Sequence, residues 1–425
     1  MNEAFFQYLW ERKLFRHQGI ITDTGEKIII VHPGKKNTDA GPDFLNARIK
    51  IGNTIWAGNV EIHKKSSDWY HHRHHTDPAY SNVILHVVEK NDRQVMRDNG
   101  EIIPAIELVY DQKIEGRYRR LLESSSWVAC AKELPETDPF IICFWLTALL
   151  VERLEEKTGK IRTVLLENRN DWEETFYRIL ARNFGFRLNS EPFEMLACKT
   201  PLKYISRLKY HPLKVEALLL GQAGFLAETY LFEDYYTALK KEYGFLSAKY
   251  SLKALPAHTW KFSRSRPANF PTIRLAQFAS LLCNADRLFS KIIEMSSIEG
   301  LYKLFEVKAS AYWNTHYHFD KISHNREKVL GRDSINILLI NTVIPFIFLY
   351  GQIRDDEYLK ERALSFMEQI PPEKNSITAG WETAGVKSSN AADSQALLQL
   401  KSNYCNQKKC LNCQIGNKLI ANDKN

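Results

Sequence analysis

Two acidic side chains and a histidine raise the question of chemistry in this chain. Asp43 follows the polar loop GKKNTDAG, and Glu61 and His63 stand two residues apart further along. Between them Leu45, Ala47, Ile49 and Ile51 alternate with Asn46, Arg48 and Lys50, the period of a strand with one buried face. Gly52-Asn53 supplies a tight two-residue turn, and Thr54 to His63 returns as a second strand. Residues two apart on a strand leave from the same face, so Glu61 and His63 share one, while Asp43 sits where the chain enters the partner strand. One carboxylate on each of two neighbouring strands can meet at a single divalent cation. The plainer alternative is that Asp43 is a turn residue and Glu61 a solvated strand residue.

The next stretch, SSDWYHHRHHTDPAYSNVILHVV, carries five of the thirteen histidines. His71, His72, His74 and His75 with Arg73 read as a polar crossover between strands, ended by Asp77-Pro78. Such a loop beside the Asp43–Glu61 edge either binds phosphate or a second metal, or is simply solvated. His74 and Asp77 are the better placed, because they approach the following strand. His86 falls inside an apolar run and reads as a hydrogen-bonded core histidine.

A second signal lies near the other end, Cys405-x4-Cys410-x2-Cys413 among lysines. A C-x2-C pair brings two thiolates to one metal, and three thiols leave a tetrahedral zinc site one ligand short. Cys130, in SSWVACAKELP, is the expected fourth, whereas Cys143, Cys198 and Cys283 lie in apolar helical runs and look like core cysteines. Closure would clasp the tail to the sheet domain. A third feature is KFSRSRPANFPTIRLAQFA, where Lys261, Arg264, Arg266 and Arg274 bracket Asn269-Phe270-Pro271 and Thr272 is placed to cap a helix. Arginines around a helix N-terminus suit a phosphate backbone, and equally suit acids between helices.

The elements that must position these groups make an α+β protein. Phe5, Phe6, Leu9, Trp10 and Phe15 repeat at helical spacing in a first helix, whose Glu11 lies on the polar side. Strands are expected at Lys27–Val31, in the hairpin, at Asn82–Val88 and at Glu101–Val109. From about Asp111 the apolar spacing turns helical, over Arg117–Glu123, Phe140–Glu155, Trp172–Asn183, Leu213–Leu226, Phe232–Tyr243, Ile273–Phe289, Ser297–Leu304 and Ile335–Tyr350. The expected organisation is a sheet domain over 1–110, a mainly helical domain over 111–370, a mobile linker over 371–394 and a Cys-rich tail over 395–425. The 425 residues, 44% hydrophobic and 25% charged, suit an ordinary soluble protein, and the net charge of +8 mildly favours a polyanionic partner. No signal peptide is visible in MNEAFFQYLWERKLF. The longest apolar run, Ile335 to Tyr350, contains Asn336, Asn341 and Pro345 and falls short of a membrane span. Seven cysteines, an odd number with three clustered, fit a reducing cytoplasm better than a disulfide framework.

Pro42-Asp43 followed by Glu61-Ile62-His63 resembles the PD-(D/E)xK signature of the restriction-endonuclease-like nucleases, with His63 where that pattern has lysine. GPDFLNARI, WAGNVEIHKKSSDW, NVILHVV and CNQKKCLNCQIGN resemble, over essentially the whole chain, a bacterial family of unknown function, number 2851. The nuclease resemblance implies a restriction-endonuclease-like mixed sheet with flanking helices. It further implies Mg²⁺ or Mn²⁺ held by Asp43 and Glu61, with His63 acting on water or phosphate as a neutral base or as a cation. Cleavage of phosphodiester bonds, in DNA before RNA, is then the expected activity, and a non-catalytic nucleic-acid-binding or protein-interaction scaffold the alternative. Some members carry a four-cysteine iron–sulfur cluster, so the resemblance adds that cofactor to zinc for the cysteine site.

Overall fold

The computed structural model describes every residue except 98, 228–232, 264–265, 285 and 422–425. The chain divides into two compact units. The first comprises 1–145, 383–386 and 400–425, and the second 146–382 and 387–399.

The first unit is built on a sheet of β1 (Ile28–His32), β2 (Lys35–Lys36), β3 (Phe44–Ile51), β4 (Thr54–Lys65), β5 (Val83–Lys90) and β6 (Ala105–Glu107). Its order is β1-β3-β4-β5-β6, with β2 also paired to β3. The pairs up to β3–β4 are antiparallel, and β4–β5 and β5–β6 are parallel. The mixed sheet expected from the sequence is therefore present, although its last strand is shorter than the expected Glu101–Val109. The hairpin closes as its turn residues dictate, with Ile51 opposite Thr54 and Gly52 at φ +58°. Gly58 is needed for another reason: a Cβ there would stand 2.4 Å from Ile84 Cγ2, so only glycine lets β4 lie this close to β5.

Alternation sends Ala47, Ile49, Val60, Ile62, Leu85 and Val87 into one apolar core. Helix α1 (Glu3–Glu11) covers it with Phe5, Phe6, Leu9 and Trp10, its first turn capped by the Asn2 side chain. Each such large side chain removed from water is worth about 1.5–3 kcal/mol. Helix α3 (Gln112–Glu123) and the C-terminal helix (Gln414–Ala421) complete the layer, the latter burying Ile420 in the same core. Tyr8 donates to Asn417 O at 3.2 Å and Arg117 Nε donates to Ile420 O at 2.7 Å, so the tail is part of this unit. The opposite face of the sheet carries a smaller cluster of Trp69, Tyr80, Val83, Val95 and Ile103.

The second unit is mainly helical, in keeping with the expected class. A short ribbon of His316–His318 and Lys321–Ile322 interrupts it. The apolar run is longer than its sequence pattern suggested. Arg332 to Arg354 is continuous through a π turn at Leu339–Val343, long and apolar enough to cross a membrane, with 78% of its most apolar window buried inside the protein. The expected linker over 371–394 is folded instead. Asn375 caps the helix Ser376–Thr383 through Ile377 N and Thr378 N, and Trp381 is fully buried with its Nε1 donating to Leu397 O. Its Pro, Gly, Ser and Asn residues serve as caps and turns around a buried tryptophan, which composition alone does not distinguish from a mobile segment.

Candidate metal site

Asp43 immediately precedes β3, and its side chain reaches across to β4. Its Oδ2 accepts the Ile62 amide at 3.0 Å, and Glu61 Oε2 accepts the Asp43 amide at 3.0 Å. Each acid is thus held by a backbone amide of the other's segment. A bulge between Phe44 and Ala47, with Asn46 at φ +58°, breaks the regular register next to Asp43 and re-aims the start of β3. Gln7 of α1 donates to Asp43 Oδ1 at 2.7 Å. Glu11 is exposed, as its place on the polar side of the helix implies, and Glu3, one turn before Gln7, is the acid whose charge reaches Asp43 and Glu61.

On the far side of Glu61 the histidines gather. Glu61 Oε1 lies 3.5 Å from His63 Nε2 and 3.4 Å from His74 Nε2. His63 Nε2 also meets His72 Nδ1 at 3.1 Å, and His63 Nδ1 meets His86 Nε2 at 2.8 Å. Ring nitrogens of His63, His72 and His74 lie within 4.8 Å of one another. The crossover manages this through helix α2 (Asp68–His71) and a one-turn helix at His74–Thr76, joined by Arg73 in the left-handed region at φ +62°. Asp77, paired with His74 as the better-placed candidate, is spent on capping the Ala79 amide at 2.9 Å. His86 is fully buried, as a core histidine should be, yet its partner is the site residue His63.

Electrostatics follow from burial without an ion-paired cation, Lys36 acting on Asp43 only as the smallest of its influences. Among the described residues no lysine or arginine forms an ion pair with Asp43 or Glu61. Burial pushes Asp43 up to about 6, and burial with the neighbouring Asp43 charge pushes Glu61 up to about 9. A divalent ion between them would reverse both shifts, so the donor set suits a hard cation. Burial, then the other imidazoles, hold His63 down at about 2, and burial holds His74 at about 4. Burial thus favours the neutral form of His63, which offers a lone pair. Lys64 and Lys65, at the end of the strand, are exposed. The large cleft of this unit, lined by Phe15, Asp23, Asn91 and Glu107, contains none of these groups.

The cysteines of the tail pack onto the same unit, with Cys130 and Cys410 against its main core. Burial raises the Cys130 thiol to about 12 and Cys410 to about 11, and Cys413 adds to both. Burial also raises Cys405, with Cys413, Cys130 and Cys410 adding in turn. Gly416 is required here, because a Cβ would stand 2.2 Å from Cys410 O. The four thiols are near enough to disfavour one another's ionisation, but among the described residues they do not close to the mutual 4.8 Å spacing of the histidines.

The basic segment lies in the second unit and is rearranged relative to expectation. Arg264 lies outside the described residues. Lys261 and Arg266 are exposed. Arg274 is 4% exposed and turned inward, donating to Gln277 Oε1 at 2.9 Å, Asn269 Oδ1 at 2.5 Å and Ser334 Oγ at 2.8 Å, with its guanidinium over the Phe186 ring. It is a core-linking residue, unable to meet a phosphate backbone. Thr272 is inside the helix Pro271–Asn284, and its hydroxyl donates to Tyr317 O at 2.6 Å.

Fold and site together define an α+β protein with a buried acid–histidine cluster on a mixed sheet. The chain belongs to the family described as "Protein of unknown function (DUF2851)", whose model matches residues 3–376. That match takes in Asp43, Glu61 and the histidines and ends before Cys405, so it is shorter than the whole-chain resemblance expected. No curated protein and no solved structure matches the chain.

Proposed function

We propose that the first unit is a divalent-metal-dependent phosphodiesterase of the nuclease-like kind, acting on DNA before RNA. The observation carrying this reading is the reciprocal arrangement of Asp43 and Glu61, each carboxylate fixed by an amide of the other's segment. It pre-orients two oxygen donors on paired strands, as the PD-(D/E)xK signature requires. Mg²⁺ or Mn²⁺, when bound, would polarise a phosphoryl oxygen and lower the pKa of a water. The chain's own part is positioning: Gln7 and Ile62 hold Asp43, and Asp43 N holds Glu61. A second reading, a non-catalytic nucleic-acid-binding or protein-interaction scaffold, is favoured by one observation. His63 is 1% exposed and its burial disfavours the imidazolium form, so it is poorly placed to supply the positive charge of the signature lysine.

Calorimetry with Mn²⁺ should show binding in wild type that is lost in Asp43→Asn and Glu61→Gln. A panel of single-stranded, duplex and branched DNA and RNA should be cleaved only with divalent metal and only by wild type. Cleavage equal in wild type and Glu61→Gln would reject the enzyme reading in favour of the scaffold. We extend the metal reading to the tail, where Cys130, Cys405, Cys410 and Cys413 are the proposed ligands of a zinc ion or an iron–sulfur cluster.

A further inference from the structure

We propose a separate, nitrogen-rich metal position on this face of the sheet, formed by the three imidazoles of His63, His72 and His74, with Glu61 Oε1 beside two of them, and occupied by an ion of the zinc class. The inference rests on geometry and stands whether or not the chain cleaves phosphodiesters, since the two readings share only Glu61.

Spacing is the first argument. An ion with tetrahedral bonds of about 2.0–2.1 Å holds its ligand atoms about 3.3–3.4 Å apart. Three contacts at the cluster are 3.1 Å for His63–His72, 3.4 Å for His74–Glu61 and 3.5 Å for His63–Glu61, and the three imidazoles lie within 4.8 Å of one another, a mutual spacing that Glu61 does not join. The three contacts bracket that value, and the two to Glu61 are long for N–H···O hydrogen bonds, which centre near 2.9–3.0 Å. Direction is the second argument. Glu61 keeps Oε2 on the Asp43 amide and turns Oε1 to the imidazoles. His63 Nδ1 is engaged by His86 Nε2 at 2.8 Å, the outer-shell partner that fixes a ligating imidazole with its other nitrogen free.

Construction is the third argument. Tyr80 stacks on His74 with ring centroids 3.8 Å apart, and the buried Trp69 packs edge-on against His74, so the ring is held in place. Arg73 adopts a left-handed backbone between His72 and His74, a conformation costing a non-glycine residue about 1–2 kcal/mol. That turn brings the two flanking imidazoles to one point. Three imidazoles favour Zn²⁺ and its neighbours over Mg²⁺, which takes an all-oxygen shell. Ligands from β4 and from the crossover mean that the ion would pin 68–76 onto β4 beside Glu61.

The test uses the full chain, stripped with a chelator and titrated with Zn²⁺ or Co²⁺ under excess Mg²⁺. Bound metal is measured by elemental analysis, and Co²⁺ geometry by visible absorption. Because the cysteines can take zinc, the comparison is between variants. Wild type and Asp43→Asn should retain about one more ion per chain than His72→Ala, whose side chain is exposed and whose loss spares the core. His72→Ala and His74→Ala should each weaken that ion at least 10- to 100-fold, roughly the range for losing a mere outer-shell partner. Loss of cleavage in Asp43→Asn with the extra ion retained would leave this site standing alone. Equal zinc content and affinity in wild type and both histidine variants, or displacement of the ion by Mg²⁺, would overturn it.

Discussion

Glu61 Oε1 stands 3.4 Å from His74 Nε2, while the other oxygen of the same carboxylate accepts the Asp43 amide at 3.0 Å. One side chain therefore joins the entrance of β3, the middle of β4 and the crossover. Its burial without a lysine or arginine partner is costly unless a proton or a metal supplies the charge.

The tail offers the most direct test of a cofactor. Thiolate ligands must be deprotonated, and burial disfavours that at Cys130 and Cys410 unless a cation is present. Cys130→Ser should lower metal content as much as Cys410→Ser does, while Cys198→Ser leaves it unchanged. A brown protein after anaerobic purification indicates an iron–sulfur cluster, and a colourless one with about one zinc per chain the simpler site. Limited proteolysis should cut within 405–421 sooner in Cys130→Ser, because that helix docks beside these thiols. Metal content indifferent to Cys130 would remove it from the ligand set.

Local patterns carried the sheet unit well. Alternation over β3 and the Gly52-Asn53 turn were legible because each depends on neighbours in sequence, and so was the shared face of Glu61 and His63. Glu11 was legible as a solvated residue, but the approach of Glu3 to the acids was not, since it depends on which flank of α1 passes β3 and β4. His72 was named with the other crossover histidines but not preferred, because its convergence with His74 goes with a left-handed Arg73, which no composition signal marks. Arg274 looked like a surface cation because its acceptors, Asn269, Gln277 and Ser334, are neutral and one of them is distant in sequence.

A pH dependence follows from Lys157 in the second unit. Its ammonium donates to Asn341 Oδ1 at 3.0 Å, Ile340 O at 3.2 Å and Gln395 Oε1 at 2.6 Å on a half-buried side chain. Burial lowers its pKa from 10.5 to about 7. Between those values the unfolded chain binds more protons at this site than the folded one, so this group's contribution to stability rises with pH across the window. The stability difference between wild type and Lys157→Met should therefore be more favourable to wild type at pH 10 than at pH 6. Melting curves at the two pH values that differ equally between the proteins would show that the site does not titrate in this range.

Arg274 separates a structural role from a nucleic-acid role. Arg274→Ala removes donors from Gln277, Asn269 and Ser334 and leaves the buried Gln277 oxygen without its partner, at a cost of about 1–3 kcal/mol for that group. Denaturant midpoints should fall markedly, whereas nucleic-acid affinity of the folded fraction, measured at fixed salt, should not change. An undiminished midpoint with a flatter salt dependence of binding would instead identify a phosphate contact.

Arg73 tests whether the histidine geometry is bought with backbone strain. At φ +62° a glycine is at ease, so Arg73→Gly relieves about 1–2 kcal/mol in the folded state and gives back about 0.5–1 kcal/mol through the looser unfolded chain. The net expectation is a gain of up to about 1 kcal/mol with zinc binding intact. Arg73→Val imposes the opposite: a β-branched residue resists the left-handed region, so the chain between His72 and His74 must rotate and separate their imidazoles. Val should therefore lose both stability and the histidine-bound ion, although its side chain touches neither ligand. Thermal melts and zinc content measured on the same preparations decide the matter. Glycine and valine variants with equal metal content would show that the turn at Arg73 is not what brings the two imidazoles together.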